Sequence, residues 1–265
     1  MELIMLGTGN AMVTRCYNTC FVLSSGEEYF LVDAGGGNGI FKQLEQAGVP
    51  FTGIREMFVT HAHTDHILGA IWVIRKIATL MSNDKYRRNF IVYGHNEVID
   101  ALRTFCRLTL PGKILKYIDE RIFWGEVKDG TRKEILGLPI CFFDILSTKQ
   151  FGFRVLLPDG QVLVCLGDEP YNEACKKYVE QADWLLAEAF CLYRDREIFS
   201  PYEKHHSTAL DAGRLAEALG VKHLVLYHTE DKTLAERKEA YTREASSVFT
   251  GRVYVPDDLE RISLE

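Results

Sequence analysis

Thr60-His61-Ala62-His63-Thr64-Asp65-His66 places three histidines and an aspartate within six positions, directly after the apolar stretch Met57-Phe58-Val59. Imidazole suits zinc and its first-row neighbours, and a carboxylate adds the charge that retains a divalent ion. Four donors this close together can face one point only where the backbone is irregular. The stretch therefore reads as a loop closing a buried strand and not as a helix. Its spacing, HxHxDH, differs from HExxH, in which two histidines one helical turn apart bind zinc and a glutamate serves as base. The chain has 8 histidines in all, so three of them beside an aspartate is a rare outcome of random placement, and a surface turn without a role is the weaker reading.

The remainder of the chain is large enough to carry such a loop in a packed body. Its 265 residues, 47% of them hydrophobic, suffice for a sizeable core in one α/β domain or two closely packed halves. Lys and Arg number 31 against 37 Asp and Glu, and the resulting formal net charge of -6 argues against a broad electrostatic grip on long nucleic acid. Met1-Glu2-Leu3-Ile4-Met5-Leu6-Gly7 reads as a short strand entering a glycine turn, with neither the basic start nor the apolar stretch of an export signal. The longest apolar run, around Ile67 to Met81, is interrupted by Arg75 and Lys76 and is too short for a bilayer. The cysteines (Cys16, Cys20, Cys106, Cys141, Cys165, Cys175, Cys191) form no CxxC pair, and their odd number fits thiols used as small hydrophobes in a reducing compartment. A cytoplasmic protein without a membrane anchor is the expectation.

Glycine turns separate the first expected strands, Leu3 to Leu6, Thr19 to Leu23 and Tyr29 to Val32, the last running into Asp33-Ala34-Gly35-Gly36-Gly37. A helix over Ile40 to Ala47 and the strand Met57 to Val59 lead to the histidine loop, and Ile67 to Met81 reads as a helix pinned between layers. Strand Phe90 to Tyr93 and helix Glu97 to Leu110 follow, the latter stopped by Pro111-Gly112. Strands are then expected at Ile122 to Val127, Ile140 to Ile145, Phe151 to Leu157 and Val162 to Leu166, with Pro158-Asp159-Gly160 as a hairpin turn. Helix Tyr171 to Glu180, strand Trp184 to Ala187, helix Thr208 to Leu219, strand Leu224 to Tyr227 and helix Leu234 to Ser246 complete the pattern. Strands and helices thus recur in two similar halves that change over near residue 130, within a single domain over 1–265.

Further candidate ligands stand just beyond expected strand ends, where irregular backbone can aim them: Asp168 after Gly167, and His228 after Tyr227. With HxHxDH they resemble the metal-dependent hydrolases of the metallo-β-lactamase fold. Glu188-Ala189-Phe190, His206-Ser207-Thr208, Asn18-Thr19 and Leu31-Val32-Asp33-Ala34-Gly35 resemble segments of that superfamily's ribonuclease Z-like branch. The resemblance implies a four-layer αβ/βα sandwich of two mixed β-sheets flanked by helices. It implies His61, His63, Asp65, His66, Asp168 and His228 as metal ligands, Asp65, His206 and Glu188 as catalytic residues, and Asp33 behind a ligand histidine. It also implies one or two divalent ions, zinc first, with Mn2+ or Fe2+ as alternatives. His206 has a plainer alternative, a place beside a helix capped by Ser207.

One position departs from the branch. Leu146 matches a histidine expected ahead of Gly152-Phe153, and no histidine stands between His95 and His205. A leucine cannot coordinate a metal, which leaves His61, His63 and Asp168 for the first ion. Asp144 or His95 could substitute, water could fill the position, or a single ion could prefer Asp65, His66, Asp168 and His228; alternate residues share a strand face, so Asp144 has the right parity with Leu146. The implied reaction is hydrolysis of a phosphodiester by a metal-activated hydroxide, with a small or cyclic nucleotide or a short RNA preferred over long nucleic acid. No glycine- and proline-rich insertion resembling the branch's tRNA-gripping arm is visible. A thioester or lactone hydrolase is the alternative enzyme, since the same metal loop serves acyl chemistry on this fold. A non-catalytic or regulatory metal-binding protein is the third reading, and a homodimer stays open.

Overall fold

The computed structural model describes residues 1–146 and 150–264. The chain divides into two compact units, one made of Met1–Gly7, Tyr17–Val127 and Asp258–Glu265, the other of Thr8–Cys16 and Lys128–Asp257.

The first unit holds β1 (Glu2–Gly7), β2 (Cys20–Ser25), β3 (Glu28–Val32), β4 (Ile54–Phe58), β5 (Phe90–Gly94) and β6 (Ile122–Glu126), and a final strand, β14 (Arg261–Ser263). Their order in the sheet is β14-β1-β2-β3-β4-β5-β6. Pairing is antiparallel from β14 to β3 and parallel from β3 to β6. The helices are α1 (Ile40–Gln46), α2 (Thr64–Ser82), α3 (Asn96–Thr109) and the single turn α4 (Gly112–Leu115). On α2, Ile67, Ala70, Val73, Ile74, Ile77, Ala78 and Met81 are buried, the three-and-four spacing of one helix face. They join Leu31, Met57, Val59 and Val92 in the core of this unit, where each fully buried aliphatic side chain contributes about 1.5–3 kcal/mol over an exposed one.

α2 corrects one expectation. The donor stretch is not all loop: the helix begins at Thr64, with His63 extended at its N-cap, so Asp65 and His66 occupy the first helical turn. A carboxylate is favoured there by the helix dipole.

The second unit contains β7 (Thr131–Ile135), β8 (Leu138–Asp144), β9 (Phe151–Leu156), β10 (Val162–Cys165), β11 (Trp184–Glu188), β12 (His223–Tyr227) and β13 (Arg252–Tyr254), in the sheet order β13-β12-β11-β10-β9-β8-β7. Pairing is antiparallel from β7 to β10 and parallel from β10 to β13. Gly160, at φ 89°, closes the expected hairpin between β9 and β10. The helices are α5 (Lys176–Val179), α6 (Arg196–Phe199), α7 (Ala209–Ala218) and α8 (Arg237–Ser246). The helix expected over Tyr171 to Glu180 is only a 3-10 turn, Glu173–Cys175, followed by α5, because the Asn172 side chain accepts the Ala174 N–H and turns the chain locally. α7 is capped by Thr208 and not by Ser207: the Thr208 hydroxyl accepts the Asp211 N–H while the Asp211 carboxylate accepts the Thr208 N–H. The strands β7, β13 and β14, absent from the sequence reading, are edge strands: β7 is rich in charged residues, and β13 and β14 are only three residues long, so no apolar alternation marks them.

Candidate metal centre

The donors of the first unit follow β4. Asp33 lies just past β3, at φ 55°, a left-handed conformation that an aspartate tolerates better than most residues. From there its buried carboxylate organises the histidine segment. Asp33 Oδ1 accepts the Thr60 N–H at 2.8 Å, and Oδ2 accepts both the Thr60 hydroxyl and His66 Nδ1–H at 2.8 Å. With its proton given to Asp33, the Thr60 hydroxyl oxygen is left to accept from His61 Nδ1, 2.9 Å away. Both imidazoles are thereby held in the tautomer that turns Nε2 toward a ligand, the arrangement in which an outer carboxylate orients a metal-binding histidine. His66 Nε2 lies 3.2 Å from Asp65 Oδ2, and the His61 ring centre lies 4.3 Å from that of the exposed His63 and 4.2 Å from that of His66. Sequence reasoning missed Thr60; the signal was its place between the strand and the first histidine.

Gly69 lets this segment sit down on the turn after Asp33. A Cβ there would collide with the Ala34 carbonyl oxygen, and the Gly69 N–H donates to the Gly35 carbonyl at 2.8 Å.

In the second unit the parallel strands β10, β11 and β12 end side by side, with Glu188 paired to Tyr227 in register. Open α/β sheets place ligands at such carboxyl ends. Asp168 follows β10, Glu188 ends β11, and His228, at φ 59°, follows β12. His228 Nε2 lies 3.2 Å from Asp168 Oδ2. His206 is held in place rather than loose: its Nδ1 donates to the Asp168 backbone carbonyl at 2.9 Å, its ring stacks on Phe190 at 4.7 Å and 14°, and its centre is 5.1 Å from that of His228.

Glu188, one of the expected catalytic residues, holds its Oε2 3.7 Å from His206 Nδ1, and the nearer Asp168 carbonyl is the acceptor. The Glu188 carboxylate is taken instead by the Ser207 and Phe190 N–H groups. Burial pushes the Glu188 carboxyl well above the usual carboxylate range, against the pull of the Ser207 bonds. It thus braces the chain on either side of His206. Beyond the expected residues, Gln150 is completely buried and bonds Asp168.

The donor types suited to a divalent ion are Asp65, His66, His61 and His63 from the first unit, and Asp168, His228, His206 and Glu188 from the second. Within the second unit, Glu188, His206 and His228 each offer a donor atom within 4.8 Å of the others. Asp144 and His95 belong to no such grouping among the described residues. The Asp144 carboxylate accepts the Leu146 N–H at 2.8 Å, and His95 is buried at the N-cap of α3.

A ribonuclease Z from Thermobifida fusca (strain YX) is 27% identical over an alignment of 311 positions that covers 99% of this chain and 94% of that protein. Among solved structures, the metallo-β-lactamase fold protein YhfI from Bacillus subtilis superposes with a TM-score of 0.78 at 20% identity, covering 98% of each chain. The chain has the metallo-β-lactamase fold and resembles its ribonuclease Z branch. The short form of human tRNase Z matches likewise, with a TM-score of 0.77, 21% identity and full coverage of both chains. A sequence profile of the family described as Anti-Pycsar protein Apyc1 matches residues 1–106. The expected fold class, two mixed sheets flanked by helices, is the one found. No helix among the described residues is long and apolar enough to cross a membrane.

Proposed function

We propose that the chain is a metal-dependent hydrolase of phosphodiesters, acting on a small or cyclic nucleotide or a short RNA. In this reading His61, His63, Asp65, His66, Asp168 and His228 supply the ligands, and the fit rests on their chemistry: neutral imidazole and carboxylate donors match Zn2+, with Mn2+ and Fe2+ as alternatives. Divalent ions bound there supply Lewis acidity and acidify a water molecule. The observation that carries the reading is His206, whose Nδ1 is committed to the Asp168 carbonyl and whose ring is clamped by Phe190 beside His228. Its Nε2 is then the atom that hydrogen-bonds a substrate oxygen or, when protonated, hands its proton to the departing oxygen. Its side chain is 16% exposed, open enough for contact with a substrate and enclosed enough to fix the ring.

Similarity to ribonuclease Z along nearly the whole chain supports phosphodiester chemistry over acyl chemistry. The alignment of 311 positions exceeds the chain's 265 residues, so the relative carries stretches without a counterpart here. The test is turnover of bis(p-nitrophenyl) phosphate and of cyclic nucleotides by the Zn2+- or Mn2+-loaded chain, against thioester and lactone substrates. Phosphodiester hydrolysis abolished by chelation is the expected result. Turnover confined to thioesters or lactones, or none with any metal, would refute the proposal.

A further inference from the structure

We propose that Gln150 makes this chain a one-ion centre by occupying Asp168 Oδ1, the carboxylate oxygen that a second ion requires. The inference rests on the reading of Asp168 and His228 as ligands. Gln150 is completely buried and engages Asp168 twice: the Asp168 N–H donates to Gln150 Oε1 at 3.1 Å, and Gln150 Nε2 donates to Asp168 Oδ1. These two bonds fix the amide's orientation, because the flipped amide would set N–H against N–H and oxygen against oxygen. The pocket is shaped for this amide, since a Cβ on Gly167 would lie 2.6 Å from Gln150 Oε1.

The other carboxylate oxygen, Oδ2, faces His228 Nε2 at 3.2 Å. A carboxylate that bridges two cations through both of its oxygens gives one to each. Here an ion on Oδ1 would have to displace the Gln150 N–H and strand it in a buried site, which lowers affinity by about tenfold to a hundredfold. Leu146 offers no compensation: it is 53% exposed, at φ 62°, and carries no donor atom. The retained ion is the one on Asp168 Oδ2 and His228.

The test is the metal stoichiometry of the full chain, stripped and then titrated with Zn2+ or Mn2+, followed by calorimetry and by elemental analysis. One tight ion per chain is expected, any second binding at least about tenfold more weakly. In Gln150→Glu, Oε1 still accepts the Asp168 N–H while the second oxygen replaces a blocking N–H with an anionic donor, so two ions are expected. Two ions of equal affinity in the native chain would overturn the inference, as would a folded Gln150→Glu protein that still takes one. If that variant does not fold, Gln150→Ala, which removes the N–H on Oδ1, is expected to strengthen the second ion's binding at least about tenfold, and an unchanged second site there would overturn the inference. A chain that binds no metal would instead remove the functional reading on which the inference stands.

Discussion

His66 gives its Nδ1 proton to Asp33, and Thr60 relays the same carboxylate to His61, so a single buried side chain orients two imidazoles. Asp33→Asn keeps the shape but puts an N–H donor where an acceptor is needed; metal affinity measured by calorimetry is expected to fall about 10- to 100-fold. Unchanged affinity would show that the histidines hold their tautomers without Asp33. His206 has the opposite profile. Its replacement by alanine is expected to lower kcat on bis(p-nitrophenyl) phosphate by about 10²- to 10⁴-fold while leaving metal content intact. Coupled loss of metal and turnover would move His206 into the coordination set. Away from this region, Glu56 is half-buried in β4, and burial, with the Glu28 charge adding, pushes its carboxyl up to about 7. The folded chain therefore retains a proton that the unfolded chain releases near its ordinary value of 4.5, and stability falls as pH rises through the window from 4.5 to about 7. Glu56→Gln should raise Tm over the native chain at pH 8 and match it at pH 4; a difference independent of pH would contradict this.

Among the elements, α2 carries the most: its first turn presents donors and its later turns bury an apolar face. Gly69 is the contact on which that double duty depends, because a methyl group there meets the Ala34 carbonyl. Gly69→Ala is expected to destabilise the fold by about 1–3 kcal/mol in chemical denaturation, through overpacking against backbone. A neutral effect would mean that the turn after Asp33 yields freely. The start of α2 at Thr64 was illegible for a related reason. Periodicity reading looks for apolar residues on the inner face, and at Asp65 and His66 that face is polar, so the pattern emerged only from Ile67. The strands β1, β10 and β12 were legible from their apolar runs, whereas the three-residue edge strands β13 and β14 have too little sequence to show a period. Gln150 was illegible because its meaning lies in a partner 18 residues away across the β9–β10 hairpin.

At the scale of the whole molecule, each sheet runs from antiparallel to parallel pairing, and in each the candidate donors follow the ends of parallel strands. The sequence carried this plan in its two runs of strands and in donors placed after them. It did not carry the second interactions that tune the donors, since Thr60, Gly167 and Gln150 are ordinary residues until the chain brings Asp33 and Asp168 to them. The proposed function requires a divalent ion on the candidate donors. Anomalous scattering at the zinc edge from crystals of the Zn2+-loaded full chain tests that requirement most directly. A zinc peak on Asp168 and His228 is the predicted result, and zinc bound away from these two side chains would contradict it.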